Sequence, residues 1–273
     1  MLRIVGCLLI CLAIVSDRPP VNTVVRHVPP SVTVDPCAAL PTQEEYLRLA
    51  STDPLAMLRA SIARARQEVR GYTVTLVKRE RLGGRLNPQE VIHASYRVNP
   101  HSVLLEWKSE PAGQADRVLY VEGANGDQML VRPKSRLARA VAGAVVTIDP
   151  EGKEARAAGR VSIRDFGMEK AAERLLAAWT AASNSGMLHV ECRGVQPVPE
   201  LDGRPCVILE RLLQEPDDDG LHRVVVGFDV ETWMHVMTVM TDAKGQLIAS
   251  YFFRSVALNP ELPDAVFDRA SLK

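Results

Sequence analysis

The feature that most constrains this chain is a change of period at Tyr72. Before it, Leu55, Leu58, Ile62, Ala65 and Val69 recur at helical spacing. From Tyr72 onward, apolar and polar residues alternate, the two-residue period of a strand with one face buried. "YTVTLVKRERL" and "LNPQEVIHASYRV" flank Gly83-Gly84, "HSVLLEWKS" follows Pro100, and "DRVLYVEG" and "DQMLVRP" flank Ala124-Asn125-Gly126. Five strands with such short connections must be antiparallel neighbours, because a parallel pair needs a long crossover.

Ser135–Gly167 is harder to read, with a strand-like core in "AVAGAVVTIDP" and a turn at Pro150 and Gly152, and a helix then follows. From Met168 to Ser183, Met168, Ala171, Ala172, Leu175, Trp179 and Ala182 line one side of a helix, with Glu169, Lys170, Glu173 and Arg174 on the other. Strands then resume in "MLHVECRGV", "RPCVILERLL", "LHRVVVGFDV", "WMHVMTVMTD" and "LIASYFFRSVAL". The expected class is therefore α+β, with about ten antiparallel strands. So many strands exceed what a flat sheet carries comfortably, so the expected form is a strongly curved sheet, an unclosed barrel, with helices covering its concave face. Two helices precede the strands. Thr42 caps one and Asp53 the other, with Pro54 in the first turn, where its missing N–H costs nothing.

Ahead of the helices stand two segments of another kind. Residues 1–16 have the build of a signal peptide or short anchor: Arg3, then the apolar run Ile4–Val15, short for a bilayer span, then the small Ser16. A lipidated cysteine at Cys7 is a third reading of the same stretch. Residues 17–42 carry six prolines and no helical period, as expected of an extended linker. Residues 43–273 then form a single domain. The expected location is exported, periplasmic or otherwise associated with the cell envelope, tethered to the membrane if the first segment is retained.

Thirty-three basic and thirty-three acidic side chains leave no net charge to attract nucleic acid. The sequence has no G-x-S-x-G, H-E-x-x-H or C-x-x-C pattern. No catalytic residue, metal ligand or cofactor is expected. Asp217-Asp218-Asp219-Gly220 lacks the spacing and distal glutamate of a calcium loop and reads as a solvated turn. Cys192 and Cys206 fall on adjacent strands, where an exported protein could bridge them. Two buried free thiols are the other reading.

One strand breaks the pattern. Lys78 and Glu80 share the face of Tyr72, Val74, Leu76 and Leu82. Either the two pair as a salt link at a sheet edge, with the lysine stem lying over apolar neighbours, or they mark the polar mouth of a ligand pocket. In the second reading Lys78 or Arg97 meets a carboxylate or phosphate head group. Glu80, Trp107 and Trp179 complete the candidate ligand-binding set.

The stretch from Tyr72 to Val131 resembles the bacterial family catalogued as domain of unknown function 1571. The matching features are the opening tyrosine, the K-R-E-R run, the long hairpin, the strand ending in Glu106-Trp107 and the Tyr-Val-Glu-Gly turn. The stretch from Val224 to Asp268 resembles the end of the lipoprotein-carrier (LolA-like) superfamily at Asp229, Gly245, Tyr251, Phe252, Asn259, Leu262 and Phe267. The resemblance implies a half-barrel with helices over its opening in an exported protein and, from the carriers, an apolar pocket for acyl chains. The expected function is a non-enzymatic binding protein holding a lipid, a lipoprotein acyl chain or another apolar ligand between sheet and helices. The alternative is an envelope sensing or scaffolding module that binds another protein and no small ligand. The expected partners are thus a lipid or acylated protein, or an envelope protein.

Overall fold

The computed structural model describes residues 33–35, 37–109, 115–142 and 144–273. The signal or anchor segment (1–16) and most of the linker (17–42) lie outside the described residues. Among the described residues, no helix is long and apolar enough to cross a membrane.

The two expected helices form, with the expected caps. α1 (Gln43–Thr52) begins at Thr42, whose hydroxyl accepts from the Glu45 amide while Glu45 accepts from the Thr42 amide. α2 (Pro54–Glu68) begins at Asp53, whose carboxylate accepts from the Ala56 amide. The chain then enters β1 (Gly71–Leu82) through a glycine that cannot be replaced cheaply. A Cβ at Gly71 would lie 2.6 Å from the Tyr96 carbonyl oxygen, closer than real Cβ contacts come.

After β1 come β2 (Arg85–Leu86), β3 (Glu90–Arg97), β4 (Ser102–Trp107), β5 (Ala115–Val121), β6 (Met129–Pro133) and β7 (Val146–Ile148). Two short helices, α3 (Arg136–Ala142) and α4 (Lys153–Ala158), flank β7, and α5 (Met168–Asn184) follows. The chain ends its regular structure with β8 (Val190–Val198), β9 (Arg204–Leu212), β10 (Leu221–Asp229), β11 (His235–Asp242) and β12 (Leu247–Leu258). All twelve belong to one antiparallel sheet ordered β7-β6-β5-β4-β3-β1-β12-β11-β10-β9-β8, with β2 paired off that path to β1. The first and last long strands meet in the middle, with Tyr72 opposite Leu258 and Glu80 opposite Ala249.

This corrects the expected half-barrel. The sheet is neither strongly curved nor closed; its path is open, and its ends β7 and β8 belong to opposite halves. Two observations show why the strand count did not force a barrel. First, β4–β6 are apolar on both faces. Val103, Val118, Tyr120, Met129 and Val131 pack in the central core, whereas the alternate residues Leu104, Leu119 and Leu130 pack with Phe267 and Leu272 of the C-terminal segment. A sheet covered on both faces is a layer in a sandwich of elements rather than a barrel wall with water outside. Second, the helices do not plug a mouth. α1, α2 and α5 lie as a layer against the other half of the sheet, where Leu58, Ile62, Leu176 and Trp179 meet Val207, Leu209, Val224, Val226 and Phe228.

The space expected beneath the helices is filled. Met57, Leu58, Ile62, Met168, Leu176, Trp179 and Phe228 are at most 1% exposed. Burial of this kind gains about 1.5–3 kcal/mol per large side chain, so the helix layer is held by close packing. Of the two readings of Cys192 and Cys206, a bridge or free thiols, the structure has the second: both are free. The β8–β9 register sets Cys192 opposite Leu209 and Cys206 opposite Gln196. Leu209 lies an odd number of residues from Cys206, so the two thiols face opposite sides of the sheet. Cys192 packs toward the helix layer and Cys206 into the central core.

Candidate functional site

The polar intrusion in β1 is the centre of a buried ionic cluster. β1 is an interior strand, so Lys78 has neighbours on both sides: Glu90 on β3 and Tyr251 on β12 stand directly across from it. The Lys78 ammonium lies 2.9 Å from a Glu80 oxygen and 3.2 Å from a Glu90 oxygen. Glu80 also accepts from the Tyr251 hydroxyl at 2.6 Å, and Glu90 accepts from the Trp107 indole at 2.6 Å. Four strands are thereby tied through one lysine and two carboxylates.

A strap running from α4 to α5 roofs the cluster. The Arg160 amide donates to Glu80 at 3.3 Å, and its guanidinium donates to the Arg81 carbonyl and pairs with Asp219. Asp219 belongs to the acidic turn between β9 and β10, where Asp217 accepts from the Asp219 and Leu221 amides. That turn is thus a capped loop with one outgoing ion pair. The side chains of Lys78 and Glu80 are 12% and 4% exposed.

Burial alone would strip both groups of charge, but their partners outweigh it. For Lys78, burial works downward and the Glu80 and Glu90 carboxylates hold its pKa above the ordinary lysine value. For Glu80, burial works upward, and Lys78, the Tyr251 hydroxyl and the Arg160 amide bring it below the ordinary carboxylate value. Burial and the adjacent Glu80 keep Tyr251 protonated. The cluster is charged and internally satisfied, which suits a clamp better than a proton-transfer site.

A second buried polar site follows on β11. His235 stacks on Phe228 at 4.9 Å, and its Nε2 lies 3.0 Å from the Met237 carbonyl and 2.9 Å from the Thr238 hydroxyl. Burial lowers its pKa to about 4, with a smaller push in the same direction from Arg174. Among the described residues, no group of three or more His, Cys, Asp or Glu side chains is placed to hold a metal ion.

The candidate ligand residues are therefore not brought to one place. Lys78, Glu80 and Trp107 join the cluster. Arg97 points to the other face of the sheet, where it pairs with Asp264 at 2.5 Å and lies 4.7 Å over the Phe267 ring. Trp179 sits in the helix layer, 1% exposed. Sequence reasoning missed Glu90, Tyr251 and Arg160. Only the cross-strand register and the path of the strap bring them to Lys78, and neither is written in the period of a single strand.

Among the described residues, two of the clefts open to the surface stand out, and neither is lined by α5. One, of about 460 Å³, is lined by Asp202, Arg204, Asp229, Phe253 and Arg254 among others, with Arg204 paired to the buried Asp229. The other, of about 540 Å³, lies between residues 33–41 and the helices α1 and α2.

A long run of exposed residues lies at the sheet's end. β8 is an edge strand, and Glu191, Arg193, Gly194, Val195, Gln196 and Pro197 are all exposed. Val195 is 50% exposed. Its opposite number β7 has three residues against nine in β8.

An open antiparallel sheet, a helix layer on one half, a C-terminal cover on the other and an ionic clamp at the join define a class of α+β scaffold. The chain belongs to the family described as protein of unknown function (DUF1571), whose pattern matches residues 69–273. No curated protein matches it in sequence. Among solved structures it is similar to a DUF1329 family protein from Desulfovibrio piger, with 14% identity over 86% of this chain and 100% of that one, TM-score 0.37. It is similar to the MucA/MucB complex structure from Pseudomonas aeruginosa, with 13% identity over 85% of this chain and 62% of that one, TM-score 0.40. It is also similar to the lipoprotein LppX from Mycobacterium tuberculosis, with 12% identity over 77% of this chain and 98% of that one, TM-score 0.42.

Proposed function

We propose that this chain is an exported, non-catalytic module of the cell envelope that binds another protein along the β8 edge of its sheet. Export is supported by the signal-like run Ile4–Val15. The observation that carries the binding mode is β8 itself, a nine-residue edge strand whose middle is exposed. An edge strand presents unpaired amides and carbonyls that an extended segment of a partner can complete, while alternate side chains such as Val195 supply contact.

The filled interior favours this reading over a lipid or acyl cargo. An acyl chain needs an apolar cavity, and the side chains between α5 and the sheet already occupy that space. In this reading Lys78, Glu80 and Trp107 hold strands in register instead of meeting a ligand head group. The deciding experiment places a photo-crosslinking residue at Val195 in the exporting cell, with a second at the interior-facing Val226 as control. A protein adduct specific to Val195 is expected. Absence of any protein adduct, together with a stoichiometric lipid in an organic extract of the purified chain, would overturn the reading.

A further inference from the structure

β8 reads VECRGVQPV, and its charged residues, Glu191 and Arg193, stand one on each side of Cys192. They lie two apart and so share one face of the sheet. The Arg193 guanidinium bonds Glu191 at 2.7 Å and Glu210 of β9 at 3.1 Å. Both charged side chains still reach solvent, Glu191 at 63% exposure and Arg193 at 43%. Just beyond them the register with β9 shifts between Cys192 and Val195, with Gly194 at φ 76°. The regular part of the edge is therefore the short run before this bulge.

That run is complementary to itself. When it is set antiparallel to a second copy and centred on Cys192, Glu191 of each chain stands opposite Arg193 of the other. Unlike charges directly across two strands stabilise the pair, and like charges destabilise it. Centring on Glu191 would set two carboxylates opposite each other, and centring on Arg193 two guanidiniums. Because β8 carries no other charge, the register centred on Cys192 is the one that matches unlike charges, and it does so twice. Such reciprocal matching is what a two-fold interface requires. Met187, 49% exposed, and Val195, 50%, flank the run, so antiparallel pairing brings the Met187 end of each chain to the Val195 end of the other.

Resting on the reading of β8 as a docking edge, we propose that the protein completing that edge is a second copy of this chain, joined about a two-fold axis at Cys192 into one continuous sheet. A foreign strand would have to bring its own acid and base at the same spacing, whereas a second copy brings them by identity. The contact is narrow and belongs to the weak class of interfaces, below about 1,200 Å². Bare chain and pair therefore coexist.

The test uses the full chain isolated from the envelope, as native protein and as the variants Glu191→Lys and Arg193→Glu. Native mass spectrometry and sedimentation are expected to show a concentration-dependent pair for the native chain. Each single reversal sets like charges opposite twice and weakens pairing by about tenfold. Mixed in equal amounts, with one grown in heavy nitrogen, the two variants pair with each other and not with themselves, because the two reversals then face unlike charges. Glu210 keeps Arg223 when Arg193 is reversed, and unfolding midpoints check that both variants fold. Glu191→Lys, at a mostly exposed position, carries the test alone if Arg193→Glu does not fold. A native chain that stays single at every concentration, pairing that survives both reversals, or a mixture that sorts at random overturns the proposal. The Val195 crosslink separates that failure from failure of the docking edge. An adduct of twice the chain mass is expected; an adduct to a different polypeptide overturns the second copy and leaves the edge, and no protein adduct removes both.

Discussion

The two ends of this sheet are built on different principles. At one end, β7 is three residues long, α3 stands beside it, and the strands leading to it are packed on both faces. At the other, β8 runs nine residues with its middle exposed, and the helix layer covers one face of its neighbours. Short edge strands are a common way to prevent unwanted pairing, whereas a long accessible edge invites it. Gly194, with φ of 76°, and Pro197 interrupt β8 enough to discourage indiscriminate stacking. On the proposed function, the contrast separates a half sealed for stability from a half left open for association.

If that division is right, the largest effects of substitution fall at the join. Lys78→Met strands Glu80 and Glu90 as buried carboxylates without their cation, and should cost about 3–5 kcal/mol in denaturant unfolding. Replacing Lys78, Glu80 and Glu90 together by apolar residues of similar volume should recover much of that loss. Failure of the triple variant to recover would mean that Tyr251, Trp107 and Arg160 depend on the charges.

Acid should act next, through the open half. His235 is held neutral, with a pKa of about 4 against about 6.5 in an unfolded chain. Between those values the unfolded state binds the extra proton, so stability falls as pH falls through that window, by roughly 3 kcal/mol in all. His235→Asn should flatten the slope of urea stability against pH in that window. Below it a second loss begins, because Glu80 has a depressed pKa and its stabilisation is lost once acid protonates it in the fold. At the alkaline end the sign reverses: Lys78 is raised, so its contribution is complete below the unfolded lysine pKa and is lost above it.

The smallest effect on stability belongs to the edge. Val195→Asp on exposed β8 should shift unfolding by no more than about 0.5 kcal/mol. Its effect should appear in partner capture instead, which separates association from folding in one comparison.

How much of this was legible in the residues varies with the kind of information each feature needs. α1, α2 and α5 could be read because caps and stripes are local: Thr42, Asp53 and the Met168–Ala182 face each sit within a few turns. Most strands could be read for the same reason. α3 and α4 could not, since "RLARAVA" and "KEARAA" carry no inward apolar stripe; α3 turns its apolar residues out. The expected half-barrel does not form, because the number of strands says nothing about which faces are covered. That Leu104, Leu119 and Leu130 are claimed by Phe267 and Leu272 is a contact across more than a hundred residues. The choice between bridged and free cysteines could not be made from the residues, because it turns on register, which bulges such as the one between Cys192 and Val195 reset without a sequence signal. Of the candidate site, Lys78 and Glu80 stood out as charges on an apolar face, yet their partners Glu90 and Tyr251 are fixed only by strand pairing.

A packed interior and an open edge are the two features that decide between cargo and partner. Native mass spectrometry of the chain isolated from its own envelope tests both in one spectrum. The expected species are the bare chain and the chain joined to one protein partner, the latter lost in Val195→Asp. A chain carrying a lipid mass in place of a protein, unchanged by Val195→Asp, would contradict the account.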